Sequence, residues 1–314
     1  MLRIVSRQLA SAVLLTLLVT LVTYVLIFSN GPGIARAILG KEATQEVVAA
    51  KVTELGLDQP VLSQYGGWLA ELVTTGSLGR SFFTQEPVAD MLATRIPVTA
   101  SLAVIILVLT AIASVLVGVA AAVYGGWIDR TLQFLSVLGT AVPGFIVAIL
   151  LVLIFAVSLQ WLPATGYVSP AVSVSGWAMA LILPVTAVLV GSIGGSAQQF
   201  RSAVADVLDQ DFVRTLRSRG LSERRIIFGH VLRSAAGPGL TILGLQTIGL
   251  LGGVVLIERI FALPGVGDLT VATSLQGDIP AVMGCVLFTI VVVVVVNLLA
   301  DLVAAWINPK VRAA

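Results

Sequence analysis

The chain has 314 residues, of which 58 % are hydrophobic and only 11 % are charged, and its formal net charge is +2. Soluble domains carry roughly 25 % charged residues, so this composition excludes a soluble globule and predicts a protein embedded in lipid. The small net charge gives no indication of a nucleic-acid partner. A single cysteine, Cys285, excludes a disulfide within the chain and a cysteine metal cluster.

Six apolar runs predict six membrane-spanning helices, each long enough to cross a hydrocarbon core of about 30 Å. The first follows Arg3 and Arg7 and lacks a small-residue cleavage site, so we expect an uncleaved signal-anchor. The third is broken by Pro143-Gly144, and the fourth contains Pro184. The predicted spans are residues 9–28, 98–124, 132–159, 177–193, 240–257 and 281–300.

Basic residues predict the orientation of these spans, because Lys/Arg-rich short loops are retained in the cytoplasm. Both termini and the link between the fourth and fifth spans are basic, whereas residues 160–176 on the other side carry no charge. Both termini are therefore expected inside and residues 29–97 outside. This divides the chain into residues 1–28 with the first helix, an extracytoplasmic segment 29–97, and a five-helix core 98–314.

The extracytoplasmic segment shows helical spacing of apolar residues, with capping and stop residues between the runs. It is expected to be structured, either as a small cap over the membrane domain or as a cap that also receives a soluble partner. Three helices are predicted: one from Thr44 to a stop at Gly56, one from Asp58-Pro60 to a stop at Gly76, and one opened by Thr84 and Pro87.

A polar, arginine-rich link runs from about residue 197 to 238, between the fourth and fifth spans, and contains six arginines between residues 214 and 233. Helix-forming residues flank Gly220 on both sides, which predicts a helix, a glycine elbow and a second helix. That shape is suited to being gripped by another protein. We expect an apolar face of Phe212, Val213 and Leu216, and a basic rim of Arg214, Arg217 and Arg224.

Residues typical of catalytic sites are absent from the sequence. The only histidine, His230, is expected on the surface of the cytoplasmic link, and neither a phosphate-binding Gly-X-X-X-X-Gly-Lys-Ser/Thr loop nor a Gly-X-Ser-X-Gly elbow occurs. Glu258 and Asp301 lie near span ends, where side chains reach the interface, so a proton relay is disfavoured. Gln246 and Thr247 are polar and in mid-span, which makes them candidates for lining a translocation pathway.

Glycines recur four residues apart in the fourth and fifth spans, as Gly191 with Gly195 and Gly249 with Gly253. Each pair lies on one helix face, where small residues let helices approach closely. We expect static close packing at these positions, and the alternative is a gate where helices repack.

Groups of residues along nearly the whole chain, in order and at matching spacing, resemble permease subunits of ATP-binding-cassette importers of the dipeptide/oligopeptide/nickel family, in particular its B-type subunit. The groups are Leu57-Asp58-Gln59-Pro60 with Gln64-Tyr65 and Trp68; Gly76-Ser77-Leu78-Gly79-Arg80-Ser81; Pro87-Val88 and Arg95-Ile96-Pro97-Val98-Thr99; Asp211-Phe212-Val213-Arg214-Thr215, Gly220-Leu221-Ser222 and His230-Val231-Leu232-Arg233; Glu258, Phe261 and Pro264-Gly265-Val266-Gly267; and Asp301 with Asn308-Pro309-Lys310-Val311.

The resemblance implies an all-α integral membrane protein with the type I importer permease fold, six transmembrane helices and an extracytoplasmic helical segment between the first two. It implies half of the translocation pathway of an ATP-driven importer, above all for di- or oligopeptides, in a bacterial or archaeal plasma membrane. Such a subunit is not an enzyme and binds no cofactor, since ATP and Mg²⁺ are held by partner ATPases. The implied partners are a second homologous permease, two cytoplasmic ATPases, an extracytoplasmic substrate-binding protein and the lipid bilayer, with no nucleic acid.

In this family the cytoplasmic link docks on the ATPase, and closure of two ATPases rocks the helix bundles between inward- and outward-open states. The residues implied for docking are Asp211, Phe212, Val213, Arg214, Thr215, Leu216, Arg217, Gly220, Leu221, Ser222 and Arg224. Import of nickel or another small solute by the same mechanism stays open. So do an ion-coupled secondary transporter, an intramembrane enzyme and a non-transport assembly or signalling subunit.

Overall fold

The computed structural model describes residues 2–28, 31–40 and 42–307, with side chains except those of residues 2–9, 140, 236–248, 251, 300, 301 and 304–307. These residues form helices and loops without a strand, apart from one isolated antiparallel bridge between Arg80 and Pro87. The helices are α1 (Leu2–Phe28), α2 (Gly31–Leu39), α3 (Gln45–Glu54), α4 (Val61–Thr75), α5 (Val88–Tyr124), α6 (Gly126–Ala141), α7 (Gly144–Leu151), α8 (Val174–Leu208), α9 (Asp211–Ser218), α10 (Glu223–Ile226), α11 (Leu232–Ile260), α12 (Val266–Gln276) and α13 (Ile279–Ile307), with π-helical turns at Val152–Ser158 and Ile227–Val231.

Four helices of the described chain are long and apolar enough to cross a membrane, namely those containing Ala10–Phe28, Val88–Tyr124, Val174–Leu208 and Ile279–Leu299. A fifth candidate is α6 joined to α7 and its π-helical turn, which bend by 91° where the sequence predicts a break at Pro143-Gly144. The remaining predicted span, residues 240–257, lies within α11, and most of its side chains are outside the described set.

The first two predicted outer helices are confirmed as α3 and α4. α3 follows Thr44, whose side chain makes no capping hydrogen bond, and it ends just before Gly56. α4 follows Pro60 and ends at Gly76. The short helix α2 was missed, because its sequence Gly-Pro-Gly favours a turn. A proline in a first helical turn costs little, since its missing N–H would have no intrahelical partner.

The third predicted outer helix does not exist as a separate element, and the predicted start of the second span at residue 98 was wrong. α5 runs without interruption from Val88 to Tyr124, with Pro97 inside it. A proline at this position removes one backbone hydrogen bond and bends a helix. Val88, Leu92 and Val98 are all buried on either side of it, so side-chain packing outweighs the lost bond.

The chain forms two compact units. The central unit comprises Ala100–Leu263 and Val293–Ala314, and the N-terminal unit comprises Leu2–Thr99 and Pro264–Val292. In the central unit, glycines allow α8 to approach its neighbours closely. A Cβ added to Gly118 of α5 would lie 2.6 Å from the carbonyl oxygen of Ala197, and one added to Gly139 of α6 would lie 2.8 Å from that of Val190.

In the N-terminal unit, polar contacts join segments that are far apart in sequence. The hydroxyl oxygen of Tyr65 in α4 lies 2.9 Å from Oγ1 of Thr20 in α1. The buried carboxylate of Asp278 accepts hydrogen bonds from the hydroxyl of Ser81 and, at 3.1 Å, from the backbone N–H of Phe82. These contacts hold the loop after α4 against the segment that precedes α13.

Candidate functional site

The predicted helix–glycine–helix element is present as α9, Gly220 and α10, and we call residues 211–226 the elbow. Two backbone bonds close the end of α9. The N–H of Gly220 donates to the carbonyl of Arg217 at 2.9 Å, and the N–H of Leu221 donates to that of Leu216 at 3.3 Å. This pair of bonds defines a Schellman motif, in which the residue after the helix cap adopts a left-handed conformation.

Gly220 adopts that conformation with φ of +77°. A Cβ at this position would meet no atom of the described chain within 4 Å, so the demand for glycine comes from the backbone angle and not from crowding. Side chains disfavour positive φ, and glycine adopts it without steric cost. The predicted role of Gly220 as the turning point of the element is therefore confirmed.

The apolar stripe of α9 faces the interior of the elbow. Val213 is fully buried in a cluster with Val204 and Val207 of α8 and Ile226 of α10, and Leu216 packs against the same cluster. The expectation that Val213 and Leu216 form an outward apolar face was therefore wrong. A helix of two turns is unstable by itself and is held by burying its one apolar stripe.

Leu221 also packs against this cluster, which gives the Schellman motif its usual hydrophobic contact. Phe212, on the other side of α9, is 37 % exposed and is the apolar side chain of this short helix that remains available to a partner. Phe228, in the π-helical turn after α10, is 70 % exposed. The sequence analysis missed Phe228 because it lies outside the predicted motif. His230 is exposed, as expected.

The predicted basic rim divides into two kinds of arginine. The Arg214 side chain is 72 % exposed and lies 3.7 Å from a carboxylate oxygen of Asp211, and Arg224 is also exposed. Arg217 instead forms a two-pronged ion pair with Glu223 of α10. Hydrogen bonding to Arg217 lowers the pKa of Glu223, and the same contact raises the pKa of Arg217.

Two other predicted docking residues have local structural roles. The hydroxyl of Thr215 donates to the carbonyl of Asp211 at 3.0 Å within α9, and both residues are exposed. Ser222 precedes α10 in an extended conformation, but its side chain makes no capping hydrogen bond. Asp211 lies in the first turn of α9, where a negative charge is favoured by the helix dipole.

A cavity of about 610 Å³ lies in the same unit, between α8, α11 and the break that separates α6 from α7. The four glycines singled out in the sequence line it. A Cβ at Gly249 or Gly253 would meet no described atom within 4 Å, so the expected close packing was wrong for these two residues. They widen the cavity, while close helix contact occurs at Gly118 and Gly139.

The polar groups found at this cavity are not the predicted ones. Ser192 and Gln199 of α8 line it, and the hydroxyl of Ser192 lies 3.1 Å from that of Thr110. The side chains of Gln246 and Thr247 are outside the described residues, so their role as pathway candidates stays a prediction. Glu258 was expected to reach the interface, but its side chain is fully buried.

The helices on both sides of the elbow also line the cavity. α8 continues to Leu208, well beyond the predicted end of the fourth span at residue 193, and contributes residues 187–199 to the cavity and Val204 and Val207 to the elbow cluster. α11 contributes Ala235 to the cluster and further residues to the cavity. Between the two regions, Arg201 of α8 forms a two-pronged ion pair with Asp129 of α6.

Comparison with known proteins gives this geometry a family. Residues 114–313 match the family described as the inner membrane component of binding-protein-dependent transport systems, and residues 1–103 match the N-terminal region of such membrane components. The chain belongs to this family. It is a multi-pass membrane permease of the ATP-binding-cassette importer class, with the type I importer permease fold. The resemblance predicted from the sequence is thereby confirmed.

Individual relatives cover almost the entire chain. It is 39 % identical to a putative peptide transport system permease protein of Brucella abortus (strain 2308), over 98 % of each chain. It is 34 % identical to a probable peptide ABC transporter permease protein of Sinorhizobium fredii, again over 98 % of each. Identity to the glutathione transport system permease protein GsiC of Salmonella choleraesuis is 33 %, over 99 % of each.

Proposed function

We propose that this permease imports di- or oligopeptides and that two cytoplasmic ATP-binding-cassette ATPases drive it through the elbow. The names of the relatives support the substrate class, since two are peptide permeases and glutathione is itself a tripeptide. The chain holds neither ATP nor Mg²⁺ in this proposal, because its sequence has no phosphate-binding loop. Both belong to the ATPases.

The observation that carries the coupling role is the continuity between elbow and cavity. α8 and α11 each contribute to the buried cluster of the elbow and to the wall of the cavity. Closely packed helices transmit displacement because their interiors resist compression. An ATPase that moves the elbow therefore moves both helices, and with them the width of the cavity.

The docking surface differs from the one expected from the sequence. Its apolar anchors are the exposed rings of Phe212 and Phe228, and its free charges are Arg214 and Arg224. An aromatic centre with arginines at the rim is typical of protein interfaces. Arg217, Val213 and Leu216 act indirectly, since they hold α9 in the orientation that presents this surface.

The remaining partners follow from the membrane geometry. Apolar residues on several helices of the central unit are exposed, and a single chain supplies one wall of a pathway. We infer that a second homologous permease supplies the other wall in a prokaryotic plasma membrane. The basic link faces the cytoplasm, as do both termini, and residues 29–97 face outward, where a substrate-binding protein delivers the peptide.

Purification of the tagged chain from its native membrane tests this assignment. We expect two ATPase subunits or domains and a second permease to be retained in stoichiometric amounts, and peptide uptake to depend on ATP. A lone stable oligomer that takes up solute along an ion gradient would contradict the proposal and favour a secondary transporter.

A further inference from the structure

The N-terminal unit contains a cavity of its own, of about 790 Å³, which is within the usual size range of ligand sites. One wall is a face of α4. Gln64, Gly67, Trp68 and Glu71 line the cavity and are spaced i, i+3, i+4 and i+7, so they share one side of the helix. A second wall is formed by the loop after α4, including residues 79–82.

Two opposite charges line this cavity without pairing with each other. The carboxylate of Glu71 has no partner among the described residues, and Nη1 of Arg80 donates to the backbone carbonyl of Gln85 at 2.9 Å. The rest of the Arg80 guanidinium group is uncommitted there. Glu54, a further carboxylate at the rim, is paired with Lys51 at 2.6 Å. The free negative charge is thus on α4, and the free positive charge is on the loop.

Neutral groups between these charges are suited to peptide bonds. Gln64 donates to the carbonyl of Gly56 at 2.9 Å and Gln85 donates to that of Phe82 at 3.2 Å, which leaves the side-chain carbonyl of each glutamine able to accept an N–H. Trp68 supplies an aromatic wall, and its buried indole nitrogen has no acceptor among the described residues. An unsatisfied donor of this kind favours a ligand that brings a carbonyl.

We propose that this cavity binds the zwitterionic backbone of a short peptide. The ammonium group pairs with Glu71, the terminal carboxylate pairs with Arg80, and the peptide groups contact the glutamine amides. Guanidinium groups bind carboxylates in a planar, two-pronged geometry, and an ammonium group is stabilised by a carboxylate beside an aromatic face. The inference rests on the function proposed above, in which this unit faces outward and a peptide contacts it before the pathway.

Calorimetric titration of the full chain in lipid nanodiscs tests the site with trialanine, N-acetyl-trialanine and trialanine amide. We expect saturable binding of trialanine, with binding of each blocked peptide weakened about tenfold because one charge-assisted contact is lost. Glu71→Gln should abolish the preference for a free amino group and keep the preference for a free carboxylate. Arg80→Gln should do the reverse, and Arg80→Lys should retain part of the carboxylate preference.

Glu46→Gln is the matched control, since Glu46 is an exposed carboxylate of α3 that does not line the cavity. It should bind all three peptides as the unaltered chain does. Absence of saturable binding, equal binding of the blocked peptides, or equal losses of both preferences in both variants would overturn the proposal.

Uptake by the complete complex separates this proposal from the proposed function. If the complex imports trialanine by hydrolysing ATP while the chain does not bind it, the cavity site is wrong and the function stands. If the chain binds trialanine with the expected selectivity while the complex imports no peptide, the function is wrong and the site stands. Loss of binding-protein capture in both variants, with peptide binding unchanged, would assign the cavity to that protein instead.

Discussion

Arg217 and Glu223 form an ion pair across Gly220, with Nε of Arg217 2.7 Å from Oε1 of Glu223 and Nη2 3.2 Å from Oε2. The two residues belong to α9 and α10, so the pair bridges both arms of the elbow. Exposed ion pairs contribute little to stability, but a two-pronged contact restricts the geometry of both groups. Its role is therefore to fix the angle at which the elbow meets its partner.

The elbow should lose this restraint in acid. Arg217 holds the pKa of Glu223 below its ordinary value of 4.5. A lowered acid pKa means that the contribution of the pair is fully present above pH 4.5 and is lost as pH falls through the lower, folded-state pKa. Spin labels at Ser218 and Arg225 should show a narrow distance distribution at pH 7 that broadens below pH 4.5. Glu223→Gln should be broad already at pH 7, and Asp211→Asn should remain narrow; a narrow distribution in Glu223→Gln would contradict the role of the pair.

Gly220→Val should uncouple ATP hydrolysis from uptake, or weaken ATPase retention, while membrane insertion persists. A β-branched residue held at positive φ costs about 1–3 kcal/mol, so the elbow is expected to leave its native conformation. The matched control is Gly229→Val, because a Cβ at Gly229 also meets nothing within 4 Å and its φ is not positive. Normal transport by a well-inserted Gly220→Val complex would remove the elbow from the mechanism.

Phe212 and its neighbour Val213 should fail in different ways. Val213→Ala removes fully buried methyl groups and should lower the stability of the elbow by about 1–3 kcal/mol. Phe212→Ala should leave stability unchanged and reduce the amount of ATPase that co-purifies. Limited proteolysis measures the first effect and co-purification the second. Unchanged ATPase retention in Phe212→Ala would show that this ring is not an anchor.

Gly118 and Gly252 give a second matched pair. A Cβ at Gly118 would lie 2.6 Å from the backbone oxygen of Ala197, whereas one at Gly252 meets no described atom. Gly118→Ala should therefore lower the thermal stability of the purified chain, by about 1–3 kcal/mol from overpacking. Gly252→Ala should be neutral or slightly stabilising, since alanine favours a helix. Equal melting temperatures for both variants would contradict the close approach of α5 and α8.

The orientation is tested with cysteines at Glu46 and Ser218, both exposed, in a Cys285→Ser background. An impermeant thiol reagent applied to right-side-out vesicles should label position 46 and not position 218. The reverse pattern would place the elbow outside the cell and remove its role in ATPase docking.

Local rules explain what the sequence predicts well. Gly220 and Gly76 end helices because of backbone chemistry that a few neighbouring residues determine. Pro143 was likewise located at the break between α6 and α7. The orientation of Val213 was not predicted, because the spacing of α9 defines an apolar stripe without saying whether the chain or a partner covers it.

Longer-range features lie further from prediction. The spans are apolar on all sides, so periodicity does not reveal which glycines contact a neighbouring helix and which line a cavity. Gly118 and Gly249 have similar surroundings in sequence and opposite roles in the structure. The bond between Ser81 and Asp278 joins residues 197 positions apart, and no local pattern identifies such a pair.

ATP-driven peptide uptake by the reconstituted complex tests the central claim most directly. Proteoliposomes containing this chain, its partner permease and the ATPases would receive a labelled tripeptide and its binding protein, with or without ATP in the compartment that contains the elbow. The account predicts uptake that requires ATP hydrolysis, persists when proton and sodium gradients are collapsed, and is lost in Gly220→Val but not in Gly229→Val. Uptake that continues without ATP and stops when the ion gradients are collapsed would contradict it.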